Sequence, residues 1–377
     1  MSQHVLPLPP SPDAISAEWL TAALRSSGAV KHAEVSSLTI RPVDAGSGFV
    51  GQTARLFIEY DRAEPGAPTL LFAKLSSVSP EVREKMRMLG LYETEAGFYR
   101  DLAARDNFPM RVPRPYLSLY EAETGASALL IEDLGHARFC DNVTGSSEKE
   151  AVAVVRHLAQ LHAHFWNDTE LKDLPWMRNM ISDTPTVSAI YGAMLTPWEQ
   201  QFAGFISPYC LNAAKEFHKV IPRFLHQCSQ PPATLYHGDM RLDNVAITSN
   251  GQGDEYIFYD WQVARFGRGA TDLAYYMVLS LPVEQRRATE AQLLSAYYES
   301  LVDNGVTGYS TDHLLRDFRR GLGSPLRTAV IAGGMLDFSS ERGQQLIEQL
   351  GLRIGAALED HQFTESFEEL YPEVVQA

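Results

Sequence analysis

One stretch constrains this chain more than any other: Tyr236-His237-Gly238-Asp239-Met240-Arg241-Leu242-Asp243-Asn244, followed after a short hairpin by Phe258-Tyr259-Asp260-Trp261. Three of its oxygen-bearing side chains matter most. Asp239 and Asn244 stand five positions apart on what reads as a tight loop, and Asp260 ends the next apolar run. Two carboxylates and an amide in this pattern can hold one or two Mg²⁺ ions and still leave one carboxylate free. Mg²⁺ takes hard oxygen ligands and usually keeps room for phosphate oxygens. A free carboxylate beside it can take the proton of a hydroxyl that attacks a phosphate. The turn Ser249-Asn250-Gly251 between residues 245–247 and 256–259 predicts a hairpin that returns Asp260 to Asn244.

The spacing H-x-D-x-x-x-x-N with a later aspartate resembles the catalytic loop and metal-binding aspartate of kinases. His237-Gly238-Asp239 in place of His-Arg-Asp, and Asp260-Trp261-Gln262 in place of Asp-Phe-Gly, resemble the aminoglycoside phosphotransferase and choline kinase superfamily, and within it the ecdysteroid-kinase-like branch. The resemblance implies ATP and Mg²⁺ as cofactors and residue roles to match. Asp239 accepts or orients the proton of the acceptor hydroxyl, Asn244 and Asp260 hold Mg²⁺, and Arg241 stands near the transferring phosphate.

Upstream, the pattern changes from helical to strand-like. Ser11-Pro12-Asp13 followed by Ile15, Trp19, Leu20, Ala23 and Leu24 predicts a helix that starts at Pro12 and ends at Gly28. From Ser37 the alternation is that of strands, over 38–43 and 54–60. Between them Gly46, Gly48 and Gly51 form G-x-G-x-x-G. A dinucleotide-binding fingerprint would open a helix after such a loop, whereas residues 55–60 read as a strand, so the pattern is a glycine-rich hairpin of the phosphate-covering type or an ordinary hairpin turn. Lys74, inside the apolar strand 69–75, is costly to bury without a partner. The resemblance gives it the α- and β-phosphates and a glutamate partner on the next helix: Glu95, in E-x-x-F-Y with Phe98 and Tyr99, or failing that Glu93. Glu132-Asp133-Leu134, at the end of the strand 128–131, resembles the family's hinge and would place Glu132 and Leu134 at the adenine.

A helix over 148–166 puts Leu158, Leu161, His162, Phe165 and Trp166 on one stripe. His162 and His164 lack metal-type spacing, which leaves one for the core and one for the surface. Trp176, Trp198, Met177, Met180 and Met194 suit either an acceptor pocket or a core. Asp272, in Asp272-Leu273-Ala274, reads as a helix cap or a tie to the catalytic loop. Helices are predicted over 292–302, from a cap at Thr311, and over 344–358.

A net charge of −15, most of it after Leu134, argues against nucleic acid as a partner, since phosphate neutralisation needs clustered Lys and Arg. The acidic second part suits a cationic acceptor or simply a solvated surface. No apolar run is long enough to span a membrane. Three cysteines without metal spacing and no visible secretory signal fit a cytoplasmic setting.

The expected architecture is an α+β, two-lobed, protein-kinase-like fold with a small antiparallel sheet and one long helix in the N-lobe and a mainly helical C-lobe. The expected boundaries are an N-terminal helical extension over 1–36, a nucleotide-binding lobe over 37–134 and a catalytic and acceptor-binding lobe over 135–377. The implied reaction is phosphoryl transfer from ATP to a hydroxyl of a small molecule, a sterol-like or other lipophilic alcohol. Alternatives are a hydroxyacyl-CoA, suggested by the R-L-D-N form of residues 241–244, or an aminoglycoside or choline-type acceptor. A nucleotide-binding regulatory pseudokinase is the alternative of another class. A protein kinase is disfavoured because the chain runs from Asp260 almost directly to Asp272, with no room for a long activation loop.

Overall fold

The computed structural model describes residues 6–43, 51–251 and 253–373. The chain forms two compact units: residues 1–138 together with 246–263, and residues 139–245 together with 264–377.

The first unit is built on a five-stranded antiparallel sheet in the order β1-β2-β3-β5-β4. Its strands are β1 (Val35–Pro42), β2 (Gly51–Tyr60), β3 (Leu70–Ser76), β4 (Pro115–Glu121) and β5 (Ala126–Glu132). Alternation in β3 puts Leu71, Ala73 and Leu75 into the core, and the same period leaves Lys74 on the opposite face. Helix α1 (Ala17–Ser26) covers the core face with Leu20, Ala23 and Leu24, which cluster with Leu56, Leu71, Leu75 and Leu130. It starts later than the sequence suggests. Pro12–Ala14 is a single 3-10 turn, and Ser16 is the cap, accepting from the N–H of Trp19. The one long helix expected after β3 is two, α2 (Pro80–Leu89) and α3 (Leu91–Asp101). Gly90 separates them at φ 71°, a left-handed conformation that costs glycine nothing.

The second unit carries α4 (Glu148–His164), which follows the two-residue strand β6 (Arg138–Phe139) in the chain, then α5 (Thr184–Gln201), α6 (Pro208–Ser229) and the short β7 (Thr234–Tyr236). The chain then returns to the first unit for a hairpin of β8 (Val245–Asn250) and β9 (Gly253–Phe258), and comes back to the second with β10 (Arg265–Gly267), which pairs antiparallel with β7. Helices α7 (Ala270–Ser280), α8 (Val283–Asp303), α9 (Thr311–Gly321), α10 (Gly323–Met335), α11 (Glu341–Asp360) and α12 (Phe367–Leu370) complete the chain. The cap expected at Thr311 is Ser310, which forms a capping box with His313. Every residue of α7 is buried, so this helix is the centre of the unit. Trp176, Trp198, Met177 and Met180 are buried as well, and Met194 partly so; the two tryptophans belong to the core.

Candidate active site

The first unit assembles Lys74, Glu95 and Asp260. The Lys74 ammonium donates to Glu95 at 2.5 Å and to Asp260 at 3.2 Å. Glu95, rather than Glu93, is thus the partner that the helix supplies. Burial opposes the charge on Lys74, but the Asp260 and Glu95 carboxylates overcome it and hold the ammonium above its ordinary range. Asp260 adopts φ 67°, unusual for a residue with a side chain and costing about 1–3 kcal/mol. Its neighbour Trp261 anchors it. The indole stacks on Phe98 of α3 at 4.1 Å and donates to the Phe258 carbonyl at 3.2 Å. Because Glu95 lies on the same helix as Phe98, this stack sets Asp260 against the Lys74 pair. Behind them the Tyr99 hydroxyl is buried with no hydrogen-bond partner among the described residues. Burial first, then Glu95, Asp260 and Glu132, push it well above the usual tyrosine range.

Glu132 accepts from Arg111 through both oxygens, at 2.6 and 2.7 Å, and from the Arg114 N–H. Its side chain fixes the end of β5. Leu134 packs with Ala246 and Ile257 in a small buried apolar cluster beside that strand end. Gly51 opens β2 opposite Ser76. Gly46 and Gly48 lie outside the described residues.

In the second unit the loop after β7 is held from below by Asp272 of α7. Its carboxylate accepts from the backbone N–H of His237 at 2.6 Å and of Gly238 at 2.8 Å. Asp272 is therefore a tie to the loop rather than a cap. Gly238 takes φ 84°, which explains a glycine before the aspartate. His162 is buried, bonded to the Tyr297 hydroxyl at 2.8 Å, with its Nε2 3.5 Å from Asp272; His164 is exposed.

Both oxygens of Asp239 are engaged. The Tyr275 hydroxyl donates to Oδ1 at 2.6 Å, and the Asn244 amide donates to Oδ2 at 3.0 Å and to the Asp239 carbonyl at 2.7 Å. Arg241 Nε lies 3.4 Å from the same Oδ2, and its Nη1 donates to Asp243 at 3.1 Å. Tyr275 escapes a reading of motifs, because nothing in its own position marks it. The available clue is its place one helical turn beyond Asp272. Asp243 is a second residue that no motif marks. It accepts from the Asn142 N–H, while the Asn142 side chain accepts from the Leu242 N–H, so the pair clamps the loop in place.

Taken one by one, two side chains present an oxygen of the kind Mg²⁺ takes. Asn244 turns its amide nitrogen to Asp239, and its Oδ1 receives no hydrogen bond from a described residue. Asp260 Oδ2 has one long contact, from Gln262 at 3.5 Å. Among the described residues no cluster of three His, Cys, Asp or Glu could hold a metal alone. Each of these oxygens, one in either unit, is of the hard type that Mg²⁺ takes alongside phosphates.

Residues 45–306 match the ecdysteroid kinase-like family. The chain belongs to this family. An uncharacterized kinase-like protein of Caenorhabditis elegans is 23% identical over 308 residues, covering 75% of this chain and 79% of that protein. Among solved structures, choline kinase of Cryptosporidium parvum matches with a TM-score of 0.53 at 10% identity, covering 88% of this chain and 90% of its own. Plasmodium vivax ethanolamine kinase matches with a TM-score of 0.51 at 14% identity, covering 87% and 83%. These two show that this ecdysteroid kinase-like chain has the two-lobed protein-kinase-like fold. No helix among its described residues is long and apolar enough to cross a membrane.

Proposed function

We propose that the chain is a small-molecule kinase that transfers the γ-phosphate of Mg-ATP to a hydroxyl of a lipophilic alcohol. The observation that carries this reading is Asp239, a carboxylate on a loop fixed from below by Asp272 and oriented at both oxygens by Tyr275 and Asn244. A carboxylate so oriented accepts a proton from an incoming hydroxyl without first having to reorganise. Lys74, kept charged by its two carboxylates, binds phosphate oxygens, and Glu95 keeps it aimed. Asn244 and Asp260 each offer an oxygen to Mg²⁺, and Arg241 offers a cation near the transferring group. Bound Mg²⁺ would supply charge neutralisation on the phosphates. Family membership supports kinase chemistry. Choline and ethanolamine are the substrates in the names of the two structural relatives. An alcohol acceptor is common to both.

The test is ADP release with Mg-ATP against a panel of sterols, hydroxyacyl thioesters, amino alcohols and aminoglycosides. One acceptor class should stimulate release, and Asp239→Asn should lower it by about 10²–10⁴-fold while still binding Mg-ATP. Undiminished turnover in Asp239→Asn would remove the base assigned here.

A further inference from the structure

The second unit is acidic as a whole, yet beside the catalytic loop it holds two arginines, Arg265 and Arg327, that form no ion pair with a described residue. Arg265 stands on β10 directly across from Tyr236 of β7, three residues before Asp239. Arg178, Arg327 and the Asp183 carboxylate act on it electrostatically. Arg178 takes that carboxylate in a two-pronged pair, at 2.7 and 3.1 Å. Arg265 donates to the neighbouring Ala264 carbonyl at 2.9 Å and forms no ion pair with a described residue. Arg327 lies over the Phe224 ring at 5.9 Å and has neither a hydrogen bond nor an ion pair with a described residue. Both arginines are partly buried. Burial lowers the Arg265 pKa, and the neighbouring guanidiniums add to that. A group of like charges withdrawn from water without counterions destabilises a fold, so its retention calls for an anion from elsewhere.

The position of the cluster ties it to the acceptor. Helix α10, which carries Arg327, packs on α7, which carries Tyr275, and the Tyr275 hydroxyl donates to Asp239. Met180, two residues after Arg178, accepts from the Tyr236 hydroxyl at 3.0 Å. The loop before α5, the start of α10 and strand β10 thus converge next to the loop that carries Asp239.

We propose that the acceptor alcohol carries an anionic group, a carboxylate or a phosphate, and that Arg265 and Arg327 bind it while the hydroxyl faces Asp239. This rests on the kinase reading and narrows it, against neutral sterols and against cationic amino alcohols. Guanidinium forks suit both oxyanions, because each offers two acceptor oxygens to parallel N–H groups.

The experiment compares alcohols of one chain length that differ at the far end: hydroxyhexanoate, its methyl ester, hydroxyhexyl phosphate and aminohexanol, with shorter and longer hydroxy acids alongside. ADP release is measured for wild type, Arg327→Gln, Arg327→Lys and Arg265→Gln, together with the Kd for Mg-ATP. The acid or the phosphate should be the better acceptor, and whichever leads identifies the oxyanion. Arg327→Gln should raise its KM about 10- to 100-fold, the range of a charge-assisted hydrogen bond, with Mg-ATP affinity unchanged and partial recovery in Arg327→Lys. Preference for the ester or the amine would overturn the proposal, as would an Arg327→Gln variant that weakens Mg-ATP and leaves the acceptor KM alone. If no alcohol stimulates release, saturation-transfer NMR of hydroxyhexanoate and hydroxyhexyl phosphate separates the two readings. Binding lost in Arg265→Gln and Arg327→Gln keeps the anion site and removes the kinase reading; no binding to wild type removes the anion site.

Discussion

Asp239 and Tyr275 are 36 residues apart in the chain, and their hydrogen bond is among the shortest at the site, 2.6 Å. The hydroxyl fixes one carboxylate oxygen while Asn244 fixes the other, so Tyr275 acts as a positioning residue for the proposed base. Tyr275→Phe keeps the ring and removes that contact. A hydrogen bond to a charged group contributes about 1.5–3 kcal/mol, so kcat should fall roughly 10- to 100-fold, with the KM values for acceptor and Mg-ATP little changed. A merely structural tyrosine would instead lower Tm and leave kcat intact, and that result would remove Tyr275 from the site. The contrast between these residues shows what a sequence can disclose. Asp239 and Asn244 are legible because one loop fixes their spacing, so the chemistry is written in consecutive residues. Tyr275 and Asn142 reach the loop through tertiary packing, and no local pattern encodes them.

At the level of elements, Trp261 joins two pieces that each carry a site residue. Its ring stacks on Phe98 and meets Phe108 edge-on at 6.0 Å, which fixes the strand end that holds Asp260 to the helix that holds Glu95. Trp261→Ala should destabilise the protein by about 3–5 kcal/mol through the cavity it leaves. It should also weaken Mg-ATP binding, because Asp260 then loses the anchor that holds it at positive φ. Trp261→Phe, which retains a stacking ring, should recover most of the affinity. If Trp261→Ala is folded and binds Mg-ATP like wild type, the strand end does not depend on the stack. The alternation of Leu71, Ala73 and Leu75 made β3 and the exceptional Lys74 readable in advance, since a period of two needs no partner to be seen. Helix boundaries were less legible. Ser16 and Ser310 cap helices where Ser11 and Thr311 offer equally plausible chemistry, and the choice is made by which turn packs its apolar face on the core.

For the molecule as a whole, the groups assigned to the nucleotide fall in one unit and the proposed base in the other. Lys74, Glu95, Glu132, Leu134 and Asp260 all belong to the first unit, the last because residues 246–263 return to it after more than a hundred residues spent in the second. That return depends on which apolar surfaces meet, as Ala246 and Ile257 do at Leu134, and such long-range choices leave no periodicity in the sequence. It has a measurable consequence. A ligand that binds the folded first unit stabilises it by about 2.7 kcal/mol at a hundredfold excess over Kd, which slows amide exchange through openings of that unit by up to about 100-fold. Mg-ATP should therefore protect β3, α3 and β5 together with residues 256–263, although that last segment is distant from the others in sequence. The protection should persist in Asp239→Asn, whose substitution lies in the second unit, and should disappear in Lys74→Ala. Protection confined to residues 139–245 and 264–377 would place the nucleotide in the other unit and overturn the assignment of Lys74 and Asp260 together.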